Sequence, residues 1–419
     1  MAGEDLQSLV DELAEQLHRS VAIDDPAVKL LAVSRHFGDE DPLRVTAVLN
    51  RSLPDELTRP LLELGISTWT EPGRVELDVP GSKARLCAPV RSAGRLLGFL
   101  WLIDDGPVHL TEHDVEMAAR TAARAGVVLH RDLLVRERSR ARRRSILREL
   151  VSVDEAIRAA AAEELRAEQL FGEQPMHYQV IAAHHCPVTT AEAAPDMAAE
   201  MADMAVEVAV EDGLRALPEG AGLVFAHRSR AWLLLARPQE PTTRLLHAVG
   251  QRMTARFRAL SGPRTRLAVG IGAPVTDLGL VVGSYRQALL AVRAARLIPA
   301  VGAVARWGFL GPYDILLRMP SDELARAADV PALARLRAAD NDQQVLMGTL
   351  EAFLDNAGDV KRTADLICVH RGTLYHRLRR IEQRTGCSLD AGDDRLMLHL
   401  GLKLRRLAAA DRCQDEPSA

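Results

Sequence analysis

Basic side chains are concentrated in one short segment towards the C-terminal end of the chain. Residues 356–386 contain seven Lys or Arg and three acidic residues, a balance of +4, whereas the whole chain carries −4. Cations gathered in this way can neutralise the phosphates of a nucleic acid, which supplies much of the affinity of such complexes. The segment is therefore a candidate nucleic-acid contact, although a basic helix can also be a solvated surface with no partner.

The pattern around these cations predicts two helices separated by a tight turn. A short helix is expected over residues 359–366 and a longer one over residues 370–385, with Gly386 as a left-handed cap. Residues 367–369 are too few to form a separate loop. Two helices, a tight turn and a basic second helix are typical of a helix-turn-helix.

The second predicted helix has one apolar face and one polar face. Leu374, Leu378 and Ile381 recur at helical spacing and predict the buried face. The other positions would face a DNA groove, where Arg donates to guanine edges or phosphates and Thr or His adds shorter contacts. The predicted DNA-binding residues are Lys361, Arg362, Arg371, Thr373, Tyr375, His376, Arg379 and Arg380.

This segment resembles the C-terminal helix-turn-helix of the PucR/CdaR-type bacterial transcriptional regulators. The resemblance implies that the partner is double-stranded DNA. That family usually has Asn at the position of Gly372, and a Gly inside a helix costs about 1 kcal/mol relative to Ala. The residues that carry the resemblance are Thr363, Ala364, Leu366, Val369, His370, Arg371, Thr373, Leu374, Tyr375, Arg377, Leu378, Ile381, Thr385 and Gly386, followed by residues 395–400.

Length and composition limit the remaining possibilities. A chain of 419 residues is expected to form about three domains, and its apolar runs are too short to span a membrane. The acidic, amphipathic N-terminal segment is unlike a secretory signal, so we expect a cytoplasmic protein. Five scattered cysteines predict neither disulfides nor a zinc site. We predict no catalytic residues, no metal and no cofactor.

Residues 1–130 are predicted to form an α+β sensor domain. A strand hairpin is expected over residues 85–103, followed by a capping box at residues 111–114 that opens a long helix. The segment resembles a GAF domain through Pro89, Val90, residues 94–98, residues 100–102, Leu110 and Thr111. That resemblance implies a pocket for a small-molecule effector. Trp69, Phe99 and Trp101 could line it, but aromatic side chains on strands are more often core, and the sequence reveals no convergent polar set.

Residues 131–170 are predicted to be a helical linker. Eight Arg and two acidic residues lie in residues 131–148, a balance of +6. A solvated connecting helix, a signalling helix that pairs two protomers and a direct DNA contact all remain open. Ile146, Leu147, Leu150 and Ile157 resume apolar spacing, so we expect this end of the helix to dock onto the next domain.

Residues 171–320 are predicted to form an α/β sandwich, and residues 321–412 a helical region with the helix-turn-helix. The sandwich resembles a GGDEF-like domain through residues 268–272 and 284–288. Diguanylate cyclase chemistry needs glycines and carboxylates at a hairpin turn, but residues 227–230 read His-Arg-Ser-Arg. The neighbouring residues 184–186, His-His-Cys, are expected at a strand end, where packing is favoured over metal binding. Strands are expected at residues 177–182, 222–226, 231–236, 266–271 and 304–309.

The sequence thus predicts a multidomain α+β protein: a GAF-like α+β sensor, a long connecting helix, a GGDEF-like α/β sandwich and an all-α helix-turn-helix. We interpret it as a sequence-specific DNA-binding transcriptional regulator that a small molecule or partner controls through the N-terminal domain. A single helix-turn-helix buries little surface, so a homodimer or higher homo-oligomer is expected. The alternatives are a nucleotide-handling enzyme in the middle domain and an interaction hub that does not bind DNA.

Overall fold

The computed structural model describes residues 2–39, 41–76, 80–104, 109–171, 176–187, 195–263, 265–338 and 342–415. The chain divides into unit 1 (Met1–Arg142) and unit 2 (Arg143–Ala419), and the boundary lies within one long helix. None of the described helices combines the length and the apolar character that crossing a membrane requires.

Unit 1 contains a five-stranded antiparallel sheet with the strand order β2-β1-β5-β4-β3. The predicted hairpin is confirmed as β4 and β5, and the amphipathic segment at the start of the chain forms the helix α1. The elements are α1 (Ala2–Leu17), β1 (Val21–Asp24), β2 (Leu30–Val33), α2 (Pro42–Asn50), α3 (Asp55–Glu63), β3 (Gly73–Val75), β4 (Arg85–Ser92), β5 (Arg95–Ile103) and α4 (Glu112–Leu150).

The two faces of this sheet carry separate apolar cores. Alternation along β5 directs Leu100 and Leu102 to the face covered by α1 and α4, and Phe99 and Trp101 to the opposite face. Leu61 of α3 packs against that second face. A small cavity lined partly by polar side chains lies on the second face, as described below.

The predicted capping box is confirmed at the start of α4. The backbone N–H of Asp114 donates to Thr111 Oγ1 at 3.3 Å, and the backbone N–H of Thr111 donates to Asp114 Oδ2 at 2.8 Å. This reciprocal pair satisfies donors that a helix N-terminus otherwise leaves without partners. From there α4 runs for 39 residues.

Unit 2 contains a second five-stranded sheet, followed by a run of helices. Its strand order is β10-β9-β6-β8-β7, in which β10 and β9 are parallel and the other pairs antiparallel. The elements are α5 (Glu155–Ala167), β6 (His177–Pro187), α6 (Pro195–Arg215), β7 (Gly222–His227), β8 (Arg230–Arg237), α7 (Thr243–Ser261), β9 (Thr265–Ile271), α8 (Val281–Leu297), β10 (Val304–Arg306), α9 (Tyr313–Leu316), α10 (Ser321–Ala327), α11 (Pro331–Arg337), α12 (Gln343–Asp355), α13 (Val360–Leu366), α14 (Arg371–Thr385) and α15 (Gly392–Asp415).

The strand β6 extends five residues beyond its predicted end at residue 182, and His184-His185-Cys186 lie at the C-terminal end of this longer strand. All three residues pair with β9, whereas the pairing with β8 ends at His184. His185 Nε2 lies 2.9 Å from Asp203 Oδ1 of α6, and Cys186 is buried. The last strand is shorter than predicted and ends at Arg306.

The C-terminal end of α4 belongs to the core of unit 2, as its apolar spacing predicted. Ile146, Leu147 and Leu150 are at most 1% exposed and pack with Leu165 of α5. Ile157 was expected to join them, but it is 43% exposed because it lies on the outer face of α5. The end of α4 and the helix α5, which connect the arginine-rich stretch to the sheet, therefore pack into the core of unit 2.

The last helix, α15, contributes to two cores of unit 2. Its first half places Leu398 and Leu402 among the helices α11 to α14, and its second half places Leu407 and Ala408 in the core that covers one face of the sheet. Arg293 of α8 donates to Asp411 at 2.8 Å, which ties the second half to the sheet domain.

Candidate nucleic-acid interface

The helix-turn-helix consists of α13, a four-residue turn and α14, with a cap at each helix start. The Asp359 carboxylate accepts from the backbone N–H of Arg362 at 2.9 Å, and His370 Nδ1 accepts from the backbone N–H of Gly372 at 3.2 Å. Gly386 ends α14 in the left-handed conformation, with φ of 71°. Both helices and the glycine cap are confirmed as predicted.

The turn between the helices is held by backbone hydrogen bonds. Cys368 adopts a positive φ of 53°, and the N–H of Val369 donates to the carbonyl of Ala364 at 3.0 Å. A left-handed residue at this point reverses the chain within a few residues. This geometry sets α14 against α13 and fixes which side of α14 faces solvent.

One face of α14 packs into a shared core. Leu374, Leu378 and Ile381 are 0%, 7% and 0% exposed, and they belong to one apolar core with residues of α11, α12 and α15. The predicted buried stripe is therefore confirmed. The polar Thr363 and Thr385 are also buried, but each hydroxyl donates to a carbonyl one helical turn earlier, at 2.6 and 2.7 Å.

The opposite face of the helix-turn-helix is exposed and basic. Tyr375 is 59% exposed, and seven of the eight predicted contact residues lie at the surface. Four of these are cations, and none of the four forms an ion pair with any residue that the structure describes. The exposed residues are Lys361, Arg362, Arg371, Thr373, Tyr375, His376 and Arg379.

The eighth predicted contact residue, Arg380, has a structural partner. Its Nη1 donates to Asp342 Oδ2 at 2.8 Å, and the residue is only partly exposed. Arg377, which the family resemblance includes, donates to Thr349 Oγ1 at 3.3 Å. Two of the arginines on α14 therefore hold the helix against α12 and its start, while Arg371 and Arg379 remain available to a ligand.

The helices behind α14 are held by a second set of polar contacts. The Asp355 carboxylate accepts from Lys403 Nζ at 2.7 Å and lies 2.7 Å from His399 Nε2. Burial raises the pKa of Asp355, but these two hydrogen bonds outweigh it and hold the pKa below its ordinary value. Arg335 of α11 donates to the carbonyl of Thr385 at the end of α14. These contacts join α11, α12, α14 and α15 into one frame.

A separate polar site occurs in unit 1, on the second face of the sheet. Asp24, Arg85 and Trp101 line a cavity of about 40 Å³ between the sheet, α2 and α3. The sequence did not reveal this polar set, which the fold brings together. Trp101 lines the cavity as considered from the sequence, whereas Phe99 is fully buried core and Trp69 packs beside it. No local pattern could have identified this set, because its members lie on different elements.

The hairpin turn of the second sheet has the composition that the sequence indicated. Arg228 and Ser229 connect β7 and β8, and Arg228 has a φ of 50°. The turn presents imidazole and guanidinium groups, which do not ligate magnesium. Elsewhere in the described part of the chain, no group of three or more His, Cys, Asp or Glu side chains could hold a metal ion.

Family models match all three parts of the chain. A GAF domain matches residues 5–129, a GGDEF-like domain matches residues 113–294, and the PucR C-terminal helix-turn-helix domain matches residues 346–404. The matches agree with the resemblances read from the sequence.

Two of the relatives compared are similar over nearly the whole chain, and a third is similar over one fifth of it. The proline-responsive transcriptional activator PutR of Bacillus subtilis is 21% identical over 96% of this chain and 97% of its own length. The DNA-binding transcriptional activator AdeR of the same organism is 21% identical over 96% of this chain and 93% of its own length. The carbohydrate diacid regulator of Escherichia coli is 39% identical over 20% of each chain. The chain belongs to the PucR/CdaR-type bacterial transcriptional regulators, and it is a DNA-binding regulator with GAF, GGDEF-like and PucR-type helix-turn-helix domains.

Proposed function

We propose that α14 enters the major groove of double-stranded DNA and that its exposed face reads the operator. The observation that carries this proposal is the set of four exposed cations, Lys361, Arg362, Arg371 and Arg379, which have no ion-pair partner among the described residues. Side chains that are neither paired nor buried can bind phosphates and base edges without first breaking a protein contact.

The exposed residues have different tasks in this proposal. His376 and Arg379 lie opposite the buried stripe, so they face base edges, and Arg379 can donate in fork geometry to guanine. Arg371, Thr373 and Tyr375 lie towards the start of α14 and contact either bases or the adjacent phosphates. Lys361 and Arg362, at the start of α13, contact the DNA backbone, which fixes the register of the helix in the groove. Arg380 contributes least, since Asp342 holds it.

Two copies of this helix-turn-helix act together in the proposal. One module buries a modest area on DNA, whereas two modules on a homodimer or higher homo-oligomer bind two half-sites and gain affinity from being linked. The operator would accordingly contain a repeated half-site.

Unit 1 is the sensory part of the regulator in this proposal, and a small molecule or partner bound there alters DNA binding. The GAF match and the presence of a polar cavity support this role. One full-length relative is named as proline-responsive, so control by a metabolite occurs in a protein of similar layout. The helix α4 begins in unit 1 and ends in the core of unit 2, which makes it the element able to transmit a change.

The DNA contact is tested by replacing Arg371 and Arg379 together with alanine. Genome-wide mapping of bound DNA first identifies an operator, and binding to it is then measured over a range of salt concentrations. We expect a roughly tenfold to hundredfold loss of affinity and a log–log salt slope that is shallower by about 2. A matched double variant, Arg244→Ala with Arg256→Ala, removes two exposed arginines of α7 and should bind as the wild type does. Unchanged binding by the first variant would favour an interaction hub that does not contact DNA.

The role proposed for the GGDEF-like domain is connection and not catalysis. The basic composition of its hairpin turn supports this, because guanidinium groups cannot replace the carboxylates that hold magnesium. Incubation with GTP and Mg²⁺ tests the point directly. A cyclic dinucleotide product would overturn this part of the proposal and leave the DNA contact unaffected.

A further inference from the structure

The cavity of unit 1 lies between one face of the sheet and the helices α2 and α3. Strand alternation brings Ala22 and Asp24 of β1 to this face, beside Trp101 of β5. The remaining wall is largely apolar, with Val28, Leu53 and Leu61 among its residues, and it also contains Ser20 and Arg44. A volume of about 40 Å³ exceeds what one water needs but is far smaller than a drug-sized site. The occupant must therefore be a small molecule.

The carboxylate of Asp24 is buried and has no ion-pair partner at close range among the described residues. Asp24 is 8% exposed, and the Trp101 indole is the polar donor that acts on its carboxylate. Burial raises the pKa of Asp24 to about 7, the neighbouring Asp25 adds to this effect, and Trp101, Arg85 and Arg44 act in the opposite direction. The Trp101 indole is near this carboxylate without making a hydrogen bond of normal geometry. The donors and cations near Asp24 therefore do not offset the cost of burying its charge, and a further cationic donor in the cavity would stabilise the charged form.

The charge of Arg85 is already matched inside the protein. Its Nη2 lies 2.5 Å from Asp41 Oδ2, and the Asp41 side chain is completely buried. Asp41 also accepts from the backbone N–H of Arg44 at 2.8 Å and from that of Lys83 at 3.0 Å. These bonds hold the pKa of Asp41 below its ordinary value against the effect of burial. Arg85 is thus a fixed part of the cavity wall, and it does not neutralise Asp24.

Two donors on the same wall lack acceptors. The Nε of Arg85 and the Nε1 of Trp101 are buried and have no hydrogen-bond partner in the described part of the chain. Buried polar groups are normally satisfied, so each such group calls for a ligand or an ordered water. The cavity accordingly combines one acceptor that needs a cationic donor with two donors that need an anionic acceptor.

We propose that this cavity binds a small α-amino acid, with the ammonium group against Asp24 and the carboxylate against Arg85 Nε and Trp101 Nε1. The inference rests on the proposed sensory role of unit 1 and names the chemical class of its effector. A zwitterion supplies both missing charges and adds no net charge to the buried site. The short side chain of the amino acid contacts Val28, Leu53 and Leu61, and the small volume excludes long side chains.

Calorimetric titration of the full chain with small amino acids tests the proposal. The probes are glycine, L-alanine, L-serine, L-valine and L-proline, each beside the amine that lacks the carboxylate: methylamine, ethylamine, ethanolamine, isobutylamine and pyrrolidine. Acetate and propionate serve as probes without the ammonium group. We expect at least one amino acid to bind at least about tenfold more tightly than its amine and than either acid. The proposal fails if no amino acid binds at about 10 mM, or if an amine or acid binds as tightly as the best amino acid.

Two variants locate the bound amino acid in this cavity. Asp24→Asn keeps the shape but removes the charge, and it should weaken binding at least about tenfold. Trp101→Phe keeps the ring but removes the indole N–H, and it should weaken binding by about threefold or more. The matched control, Glu116→Gln, removes a carboxylate charge from an exposed position of α4 that does not line the cavity, and it should change affinity by less than about twofold. Circular dichroism and melting confirm that each variant is folded. Wild-type affinity in folded Asp24→Asn overturns the assignment.

Operator binding, measured separately, distinguishes this inference from the function on which it rests. Amino-acid binding that changes operator affinity supports both. Amino-acid binding without any change in operator affinity supports the cavity assignment and refutes the sensory role. Normal operator binding by a protein that binds none of the amino acids overturns the inference and leaves the DNA contact intact.

Discussion

The arginines of α14 and the arginine of the unit 1 cavity are used in opposite ways. Arg371 and Arg379 are exposed and have no carboxylate partner among the described residues, whereas Arg85 has a side chain only 13% exposed and is bonded to the fully buried Asp41. A charge at the surface is solvated, so leaving it without a partner costs little and keeps it available to a polyanion. A buried charge must be paired, and it then serves to shape a site. Arginine is therefore available to bind a ligand on α14, whereas in unit 1 it is a fixed part of the cavity wall.

The largest effect is expected from Arg85→Ala. This change leaves the Asp41 carboxylate buried without its ion-pair partner, and such losses cost about 3–5 kcal/mol. Denaturant unfolding of unit 1, followed by the fluorescence of its tryptophans, should show a clearly lower midpoint. Arg379→Ala is the matched control, and it should change the same transition by less than about 0.5 kcal/mol because its side chain is exposed. Equal unfolding midpoints for the two variants would show that the buried Arg85 stabilises the fold no more than the exposed Arg379 does.

Asp24→Asn should make the stability of unit 1 depend less on pH. Because the folded pKa of Asp24 is about 7, the folded state retains a proton that the unfolded state releases between about pH 4 and pH 7, so stability falls as pH rises through this range. Asn cannot ionise and removes this fall. The variant should gain roughly 2–4 kcal/mol over the wild type at pH 8 and little at pH 4. Melting curves at both pH values measure it, and an equal gain at each pH would contradict a raised pKa.

Arg379→Ala and Arg380→Ala should distinguish an arginine that contacts DNA from a neighbouring arginine that holds α14 in place. Removal of Arg379 should lower operator affinity by about 1–3 kcal/mol, because it is exposed and opposite the buried face. Removal of Arg380, which Asp342 holds at 2.8 Å, should affect operator affinity less and lower the stability of the helical region by at most about 1 kcal/mol. Affinity and melting are measured on both proteins. The reverse order of affinities would show that the ion pair opens when DNA binds.

The smallest effect is expected from Gly372→Ala. The nearest atom to an added Cβ would be His370 Nδ1 at 3.4 Å, which is an ordinary contact, and the backbone φ is not positive. Ala should therefore stabilise α14 by up to about 1 kcal/mol. The melting temperature of the helical region should rise slightly. A fall would indicate that the glycine is needed for a conformation other than the helical one.

The two sites also differ in how far the sequence predicted them. Caps, turn and apolar stripe of the helix-turn-helix all lie within residues 356–386, where helical spacing and glycine chemistry are local signals. The cavity combines Arg85 and Trp101 of the predicted β4–β5 hairpin with Asp24, which comes beside them only through the pairing of β1 with β5. Strand pairing between distant segments leaves no periodic mark in the sequence. For the same reason, the bond from Arg380 to Asp342 could not be predicted, although each helix could.

The helix α15 has a consequence for exchanging domains among such regulators. The matched helix-turn-helix domain ends at residue 404, but α15 continues to Asp415 and carries Leu407, Ala408 and Asp411 into the sheet domain. A chimera joined at residue 404 would keep the helix-turn-helix domain but lose the second half of α15, which packs against the sheet domain. The transferred helix-turn-helix would then lack the native contacts of Leu407, Ala408 and Asp411 with the sheet domain. Its orientation relative to that domain would no longer be fixed. A junction that retains the whole of α15, together with the surfaces of α8 and α10 that it contacts, would transfer the helix-turn-helix domain in its native orientation.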